Sequence, residues 1–245
     1  MKILVCMSVV PDTTTKITFT ENNTKFNSQG VQYIINPYDE LSLTKAVEIA
    51  EKDGSTVTVA TVGLQDTEAV IRKALAIGAN DAIRINAEPK DGQFVAQQLA
   101  KIIQQNQYDL ILTGRESIDY NGGQMCGLLA ELLSMPSVNV CSKIEIVDGK
   151  LQLERDIDGG RQTLTSEMPC VVSAQKDLCE PRIPNMKGIM GARTKPLTVI
   201  EAESSTNYTQ YVSFENPVAK QAVKMIDAAN AGELINTLKN DIKII

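Results

Sequence analysis

The stretch TVTVATVGLQDTEAVIRKALAIGANDAIRI, residues 56–85, decides the fold of this chain. Both of its ends are rich in β-branched residues, which favour strands, and the segment between them carries apolar residues at helical spacing. A strand, a helix and a second strand in this order predict a βαβ unit with parallel strands.

The same alternation of strand-like and helix-like segments runs from the first residues to about Val140. Pro37 suits the first turn of a helix, and Gly54, Gly78 and Pro136 suit helix ends. The strands are expected near residues 2–7, 56–62, 81–85, 110–113 and 138–140, and the helices at residues 37–52, 66–77, 92–105 and 123–134. This order is typical of an α/β fold with a mostly parallel sheet.

Early in the chain, the alternation is interrupted by two strand-like runs. Residues 16–19 and 31–35 flank a polar stretch, and this arrangement predicts an inserted hairpin. A second departure follows Ser142, where turn residues separate short strand-like runs. These runs are residues 143–147, 151–154 and 161–164, and residues 170–174 then return to the core. We therefore expect a small antiparallel extension of the main sheet.

The composition argues against several classes of protein. The chain has 245 residues, 43% of them hydrophobic, and its formal net charge of -6 argues against a nucleic-acid binder. No apolar run reaches the roughly 20 residues of a membrane span, so we expect a cytoplasmic protein without membrane insertion. The chain has no histidine, and its five cysteines show no C-x-x-C spacing. Hydrolytic chemistry, a metal site and a disulfide framework are therefore poor candidates.

The segment at about residues 176–196 combines prolines, glycines and cations after a predicted strand. Pro181 and Pro184 keep the backbone near extended geometry, so the segment should leave the sheet as a stiff arm. Apolar residues at its tip and basic residues toward its end predict a protruding docking element. These residues are Ile183, Met186, Ile189, Met190, Arg193 and Lys195. An irregular loop folded onto its own core is the alternative.

The C-terminal segment begins with a polar stretch, residues 201–210, and ends in a predicted helix. Leu234, Leu238 and Ile242 lie on one face of that helix. A helix packed on its own domain and an arm that reaches another subunit fit this periodicity equally well.

Ligands of a parallel α/β sheet bind at the carboxyl ends of its strands, where loops and helix N-termini meet. Residues 6–8, 36–39 and 114–125 converge at that edge. Gly122 and Gly123 precede a predicted helix, and adjacent glycines let backbone amides approach a phosphate. A purely structural turn is the other interpretation of this pair. The chain has neither a G-x-G-x-x-G fingerprint nor a Walker lysine.

Several of these segments, taken together, resemble the small (beta) subunit of electron transfer flavoprotein. The resemblance covers about the whole chain and is carried by the order and spacing of short runs. The runs are MKILV at residues 1–5, NPYDE at 36–40, ALAIGA at 74–79, DLILTG at 109–114, ID at 118–119, ERDIDGG at 154–160, EPR at 180–182 and IM at 189–190, followed by a basic tail.

The resemblance implies a Rossmann-like fold of the adenine nucleotide alpha hydrolase type in residues 1–200, which include the recognition loop. Residues 201–245 would form an arm and a helix that contact the alpha subunit. In the family, the beta subunit binds AMP, or a second FAD in electron-bifurcating relatives. The pocket residues carried over by position are Cys6, Asn36, Asp39, Val62, Asp119, Asn121, Gly122, Gly123, Gln124 and Met125.

The nucleotide loop of this chain departs from both family patterns. The run NGGQM at residues 121–125 is shorter than the loop of the carriers and lacks its threonine. Asn121-Gly122 and Cys126-Gly127 replace the Asp-Thr and Gly-Pro pairs of bifurcating relatives. We expect AMP, because the glutamine and methionine and the missing proline follow the carriers.

The resemblance further implies an electron-carrier subunit that is not an enzyme by itself. With an alpha subunit that holds most of the FAD, it would carry electrons from flavin dehydrogenases to a quinone oxidoreductase. The donors include the acyl-CoA dehydrogenases of fatty acid oxidation. Pro11, Asp12 and Thr13 would face the flavin, with Thr13 where carriers often have a tyrosine. The apolar and basic residues of the recognition loop would bind the dehydrogenases.

Two other classes of protein fit parts of the sequence. A nucleotide-binding stress or signalling domain would explain the pocket, but not the EPR run at residues 180–182 or the antiparallel strands. An ATP-using ligase of related fold needs a phosphate-activating motif, and the sequence has none.

Overall fold

The computed structural model of the chain, which describes residues 1–220 and 222–244, contains one large sheet with helices on both faces. Residues 221 and 245 of the predicted arm lie outside the described residues. The strands are β1 (Lys2–Cys6), β2 (Val9–Pro11), β3 (Phe19–Thr20), β4 (Lys25–Phe26), β5 (Tyr33–Ile35), β6 (Thr56–Val62), β7 (Asp81–Asn86), β8 (Leu110–Gly114), β9 (Ser137–Val147), β10 (Lys150–Ile157), β11 (Gly160–Ser166), β12 (Cys170–Ala174) and β13 (Leu197–Glu201). The helices are α1 (Pro37–Asp53), α2 (Glu68–Ile77), α3 (Gly92–Asn106), α4 (Met125–Leu133), α5 (Met186–Ala192) and α6 (Ala231–Asn236), and a π-helical segment, Thr237–Ile242, follows α6.

The strand order of the large sheet is β11-β10-β9-β12-β8-β1-β6-β7-β13. The strands from β9 to β13 in this order run parallel, whereas β10 and β11 pair antiparallel beyond β9. This topology confirms the expected α/β fold and its antiparallel extension. From β1 the chain moves to β6 and β7 on one side, and later to β8 on the other side. The carboxyl ends of β1 and β8 therefore flank the point where the strand order reverses.

Side chains of β1 alternate between two hydrophobic clusters, one on each face of the sheet. Ile3 and Val5 pack with residues of α1 and α2, and Leu4 and Cys6 pack with residues of α3 and α4. Because helices cover both faces, the central strands are buried on both sides, which explains their continuous apolar runs. None of the helices in the described part of the chain is long and apolar enough to cross a membrane.

The hairpin predicted from residues 16–19 and 31–35 is wrong. The second run, as β5, pairs antiparallel with β2, the short strand that follows β1. Only the end of the first run is a strand, and this strand, β3, pairs with β4 inside the polar stretch. A strand was therefore confirmed for most of the second run but only for Phe19 of the first. The partner of each strand is fixed by contacts that local patterning does not contain.

Two further predictions differ from the structure near the sheet edges. Residues 138–140 and 143–147 form one continuous strand, β9. The edge strand β13 was not expected from the sequence, although its run LTVIE contains the β-branched residues Thr198, Val199 and Ile200. Since β13 pairs in parallel with β7, the chain stays in the α/β body up to Glu201.

Candidate functional site

Asp39, in the first turn of α1, holds together the loops at the carboxyl ends of β1 and β8. Its Oδ2 accepts a hydrogen bond from the amide of Ser8 at 2.8 Å, and its Oδ1 accepts one from the amide of Gly114 at 2.6 Å. Burial raises the pKa of Asp39 to about 6, against the opposing effect of these hydrogen bonds. Because the unfolded pKa is about 3.9, ionisation of Asp39 costs folding free energy as the pH rises between these two values.

Asn36, just before α1, braces the same place. Its Nδ2 donates to the carbonyl oxygen of Glu116 at 2.8 Å, and its Oδ1 accepts from the amide of Ile118 at 3.2 Å. The structure therefore brings the three predicted loop segments together. The polar atoms of the Asn36 and Asp39 side chains are engaged by the backbone, so these residues shape the candidate pocket from its base.

The loop between β8 and α4 passes close to one edge of the Tyr120 ring. Ser117 and Gly122 form an isolated antiparallel bridge, and the hydroxyl of Ser117 donates to the carboxylate of Asp119. A Cβ atom on Gly122 would lie 2.2 Å from Cε2 of the Tyr120 ring. Asn121 has a φ of 55°, in the left-handed region. A larger residue at position 122 would therefore require the Tyr120 ring, which is 54% exposed, to move.

Gly123 has a different environment from that of its neighbour. A Cβ atom there would meet only the carbonyl oxygen of Arg115, at 3.4 Å. Gln124 precedes α4, and its side chain makes no capping hydrogen bond. The first amides of a helix have no carbonyl partner within it, and the helix dipole favours an anion there. The open position at Gly123, next to the free amides in the first turn of α4, could accommodate a phosphate group.

Apolar residues of the predicted pocket also come together. Cys6, Val62 and Met125 belong to or pack against the cluster between the sheet and the helices α3 and α4. Burial first, and then the neighbouring Asp39 and Cys126, raise the pKa of the Cys6 thiol. A thiol that stays protonated is a poor nucleophile, so Cys6 is suited to packing rather than redox chemistry.

The predicted flavin-facing loop follows β1 at the same edge of the sheet. Asp12 donates its amide to the carbonyl oxygen of Gln32 at 2.8 Å, and its Oδ1 accepts the amide of Thr14 at 2.8 Å. The hydrogen bonds from Thr14 lower the pKa of Asp12. Pro11 pairs with Tyr33 across the β2–β5 ladder. This turn leaves Thr13 exposed at its tip.

The predicted docking loop, residues 176–196, contains the short helix α5 and has an exposed apolar tip. The exposed fractions of Ile183, Met186, Ile189 and Met190 are 88%, 72%, 43% and 67%. Asn185 caps α5, because its Oδ1 accepts the amide of Gly188 at 2.8 Å. The tip is therefore built on ordered backbone.

The two basic residues predicted at the end of this loop have different environments. Arg193 is exposed. Lys195 is partly buried, and its Nζ donates to the carbonyl oxygens of Leu75 at 2.8 Å and Ala79 at 2.5 Å. Burial lowers the pKa of Lys195. Lys195 therefore joins the loop to α2, a role that the sequence did not indicate.

Comparison with known proteins shows the family of this chain. The family model described as electron transfer flavoprotein domain matches residues 23–205. The electron transfer flavoprotein subunit beta of Bacillus subtilis (strain 168) is 34% identical over 259 residues, which cover 100% of both chains. The same subunit of Syntrophomonas wolfei is 34% identical, and the match covers 100% of this chain and 98% of the relative. The subunit of Homo sapiens is 30% identical, and the match covers 98% of this chain and 97% of the human protein. The chain belongs to the electron transfer flavoprotein family, among its beta subunits.

In this electron transfer flavoprotein chain, the described part of the C-terminal arm after Glu203, residues 204–220 and 222–244, touches the α/β body at few places. The Oδ2 of Asp91 accepts the amides of Tyr208 at 2.7 Å and Thr209 at 3.1 Å. The ring of Phe214 stacks on that of Phe19 with 4.9 Å between centroids. Most of the large apolar side chains elsewhere in the described arm are exposed, led by Val212, Val218 and Met225 at 81%, 94% and 87%.

Sequence reasoning missed one cation at the candidate site of this flavoprotein chain. Arg115 directly follows β8, and its guanidinium lies over the ring of Tyr38, 5.4 Å from the centroid. It also pairs with Glu116 at 3.1 Å. The available signal was a basic residue immediately after a strand that ends in Gly114. No cluster of side chains that could hold a metal ion occurs within residues 1–220 and 222–244.

Proposed function

We propose that this chain acts as the beta subunit of a heterodimeric electron transfer flavoprotein. With an alpha subunit, it would carry electrons from flavin dehydrogenases, acyl-CoA dehydrogenases among them, to a quinone oxidoreductase. The observation that carries the proposal is the exposed apolar tip of α5, in a chain that belongs to this family. A tip of this kind, beside the exposed cation Arg193, fits transient docking to another protein.

We propose AMP as the ligand of the nucleotide site and assign it a structural role. The backbone from Gly123 into the first turn of α4 would hold its phosphate, and Cys6, Val62 and Met125 would form an apolar wall. FAD, held mainly by the alpha subunit, would supply the electron-accepting chemistry when bound. Pro11, Asp12 and Thr13 of this chain would lie toward the flavin and exclude water from one side of it.

A second FAD in place of AMP is the alternative, which would make the complex electron-bifurcating. The short loop from Asp119 to Met125 favours this alternative, since bifurcating relatives have a loop of similar length. The pair Gln124-Met125, with no proline following it, favours AMP.

Mass analysis of the ligands released from the purified heterodimer tests the proposal. The expected result is one FAD and one AMP per heterodimer, in a yellow complex. Two FAD without AMP would assign the protein to the bifurcating class. A colourless complex that hydrolyses ATP would overturn the flavoprotein function.

The variant Gly123→Val tests where the phosphate lies. Its side chain would fill the open space beside the free amides, so AMP content should fall and assembly should weaken more than electron transfer per assembled complex. Gly160→Val is the matched control, because a Cβ atom at Gly160 meets nothing within 4 Å and Gly160 lies in β11, which is not part of the candidate pocket. Normal AMP content in Gly123→Val would contradict the assignment.

A further inference from the structure

The start of the docking loop is joined to α1 by a charged side chain. Arg182 forms a two-bond ion pair with Glu51, with nitrogen–oxygen distances of 2.6 and 2.8 Å. The amide of Arg182 also donates to Oγ1 of Thr44 at 3.2 Å. A fork of two parallel bonds fixes direction as well as distance, so the loop leaves α1 at a defined angle.

The end of the docking loop is joined to α2 by two cations, one on α2 that donates to the loop and one on the loop that donates to the end of α2. Nη1 of Arg72, on α2, donates to the carbonyl oxygens of Ala192 at 2.8 Å and Lys195 at 2.7 Å. Nζ of Lys195 donates back to the carbonyl oxygens of Leu75 and Ala79. The last carbonyls of a helix lack partners within it, and these cations provide partners for Ala192 of α5 and Leu75 of α2.

Between these two attachments, α5 lies directly on α2. A Cβ atom on Gly188 would be 2.4 Å from the carbonyl oxygen of Ala76. Ala192 is 3% exposed, whereas Met186 and Met190 are 72% and 67% exposed. One side of α5 is therefore fixed against α2, and the apolar tip remains in solvent.

We infer that Arg72 is a positioning residue for partner recognition, which holds α5 in the orientation that presents Met186. The inference rests on the proposed docking function of this loop. A helix as short as α5 is unstable by itself in water, so its order depends on the contacts with α2. Without Arg72, the tip would have to be ordered during docking, and that entropic cost would weaken binding without changing electron transfer in the docked complex.

The first test measures the order of the loop without any dehydrogenase. Arg72→Met keeps an unbranched side chain but removes the donors. Lys73→Met is the matched control, since Lys73 is the next residue on α2 and pairs with Glu40 at 3.1 Å. Hydrogen–deuterium exchange of residues 186–195 in the purified heterodimer should be roughly tenfold faster in Arg72→Met and unchanged in the control.

The second test measures docking. The heterodimer is reduced by an acyl-CoA dehydrogenase and its acyl-CoA, and the rate is followed against heterodimer concentration. In Arg72→Met, the KM for the heterodimer should rise roughly five- to tenfold with kcat and flavin content unchanged. Arg72→Lys should recover part of the loss, because its ammonium still donates to a carbonyl oxygen. Lys195→Met should behave like Arg72→Met, and it replaces that variant if the latter does not fold.

The outcomes separate the inference from the proposed function. Wild-type exchange in Arg72→Met would overturn the inference, and so would fast exchange with an unchanged KM. A wild-type heterodimer that the dehydrogenase does not reduce would overturn the docking function itself, and with it the recognition role of Arg72. In that case the exchange data would still report whether Arg72 orders α5.

Discussion

The docking loop and the C-terminal arm both expose apolar side chains, but their attachment to the α/β body is opposite. The loop is hydrogen-bonded at both ends, and its helix is capped and lies against α2. The arm bonds to Asp91 and stacks on Phe19, and it then continues with exposed side chains such as Met225. One surface is small and already ordered, whereas the other is long and weakly supported by its own subunit.

The difference in order between the loop and the arm suits them to different kinds of partner. A preformed tip loses little conformational entropy when it binds, so it suits a partner that must be released after each electron transfer. A long exposed apolar segment is stabilised only by burial, so it suits a permanent partner. We therefore propose that the loop docks transiently to electron donors and that the arm assembles the heterodimer.

Removal of the arm should have the largest effect. A chain that ends at Ser205 keeps β13 and the two hydrogen bonds between Gln98 and Glu203, at 2.9 and 3.0 Å. The α/β body should therefore fold with its circular dichroism spectrum nearly intact. Co-purification with the alpha subunit should be abolished. Full occupancy of the truncated chain in the heterodimer would show that the arm is dispensable for assembly.

Truncation of one methionine in the loop should have the next largest effect. Burial of such a side chain is worth about 1.5–3 kcal/mol, so Met186→Ala should raise the KM for docking by roughly tenfold or more. Flavin content and heterodimer stability should not change. Steady-state reduction by an acyl-CoA dehydrogenase measures the effect.

Met225→Ala in the arm is the matched control for the loop variant, since both methionines are exposed in this chain. It should weaken the heterodimer and leave docking per heterodimer unchanged. If Met225→Ala raised the docking KM, or Met186→Ala loosened the heterodimer, the division of labour between the two surfaces would be wrong.

Loss of the hydrogen bonds between Asp91 and the arm should weaken the heterodimer less than removal of the arm does, and the effect should depend on pH. Oδ1 of Asp91 caps α3 through the amide of Phe94 at 2.7 Å, and Oδ2 holds the amide of Tyr208. In Asp91→Asn, the side-chain oxygen can still cap α3, but an NH2 group then faces the amide of Tyr208, and two donors cannot bond to each other. The attachment of the arm should lose about 1 kcal/mol of stability, so the heterodimer should dissociate several-fold faster. Subunit exchange between labelled heterodimers measures the rate.

The pH dependence of Asp91 has a defined sign. Hydrogen bonds from the amides of Phe94, Tyr208 and Thr209 lower its pKa. The stability that the ionised carboxylate of Asp91 contributes is therefore fully present above the unfolded pKa of about 3.9, and it is lost as the pH falls below that value. Exchange of the wild-type subunits should accelerate over this range more than exchange of Asp91→Asn, and equal acceleration would contradict the assignment.

The ion pair at the start of the loop should have the smallest effect. The side chains of Arg182 and Glu51 are 34% and 58% exposed, and exposed pairs contribute about 0–1 kcal/mol. Glu51→Gln should therefore raise the docking KM by no more than roughly threefold, and added salt should reduce the difference. Glu21→Gln, which breaks an exposed pair with Lys25 outside the docking loop, is the control. A tenfold effect of Glu51→Gln would mean that the start of the loop orders α5 more than Arg72 does.

The parallel core was predictable because its signals are local. The βαβ pattern of residues 56–85 contains both strands and the helix between them, and parallel topology then places the loops after β1 and β8 at one edge. The exposed tip of the docking loop was also indicated, because prolines and apolar residues among cations mark it in sequence.

The contacts that brace the candidate site were not predictable, because their partners are distant in sequence. Asp39 bonds to a backbone amide 75 positions away, and Asn36 to one 82 positions away. Lys195 was taken as a free surface cation, yet it bonds to a carbonyl 120 positions away. In each case the sequence showed that the side chain is polar. Only the fold decides whether that side chain binds a ligand or the backbone of its own chain.

The positions of α5 differ in the substitutions that they tolerate, and Gly188 is the most restricted of those described above. Its contact with the carbonyl oxygen of Ala76 excludes any larger residue, whereas Met186 and Met190 have solvent around them. Mutations at the tip should therefore leave the contact between α5 and α2 intact, so residues 183, 186 and 190 can change without loss of the fold. Selection should preserve glycine at position 188 while the tip diversifies.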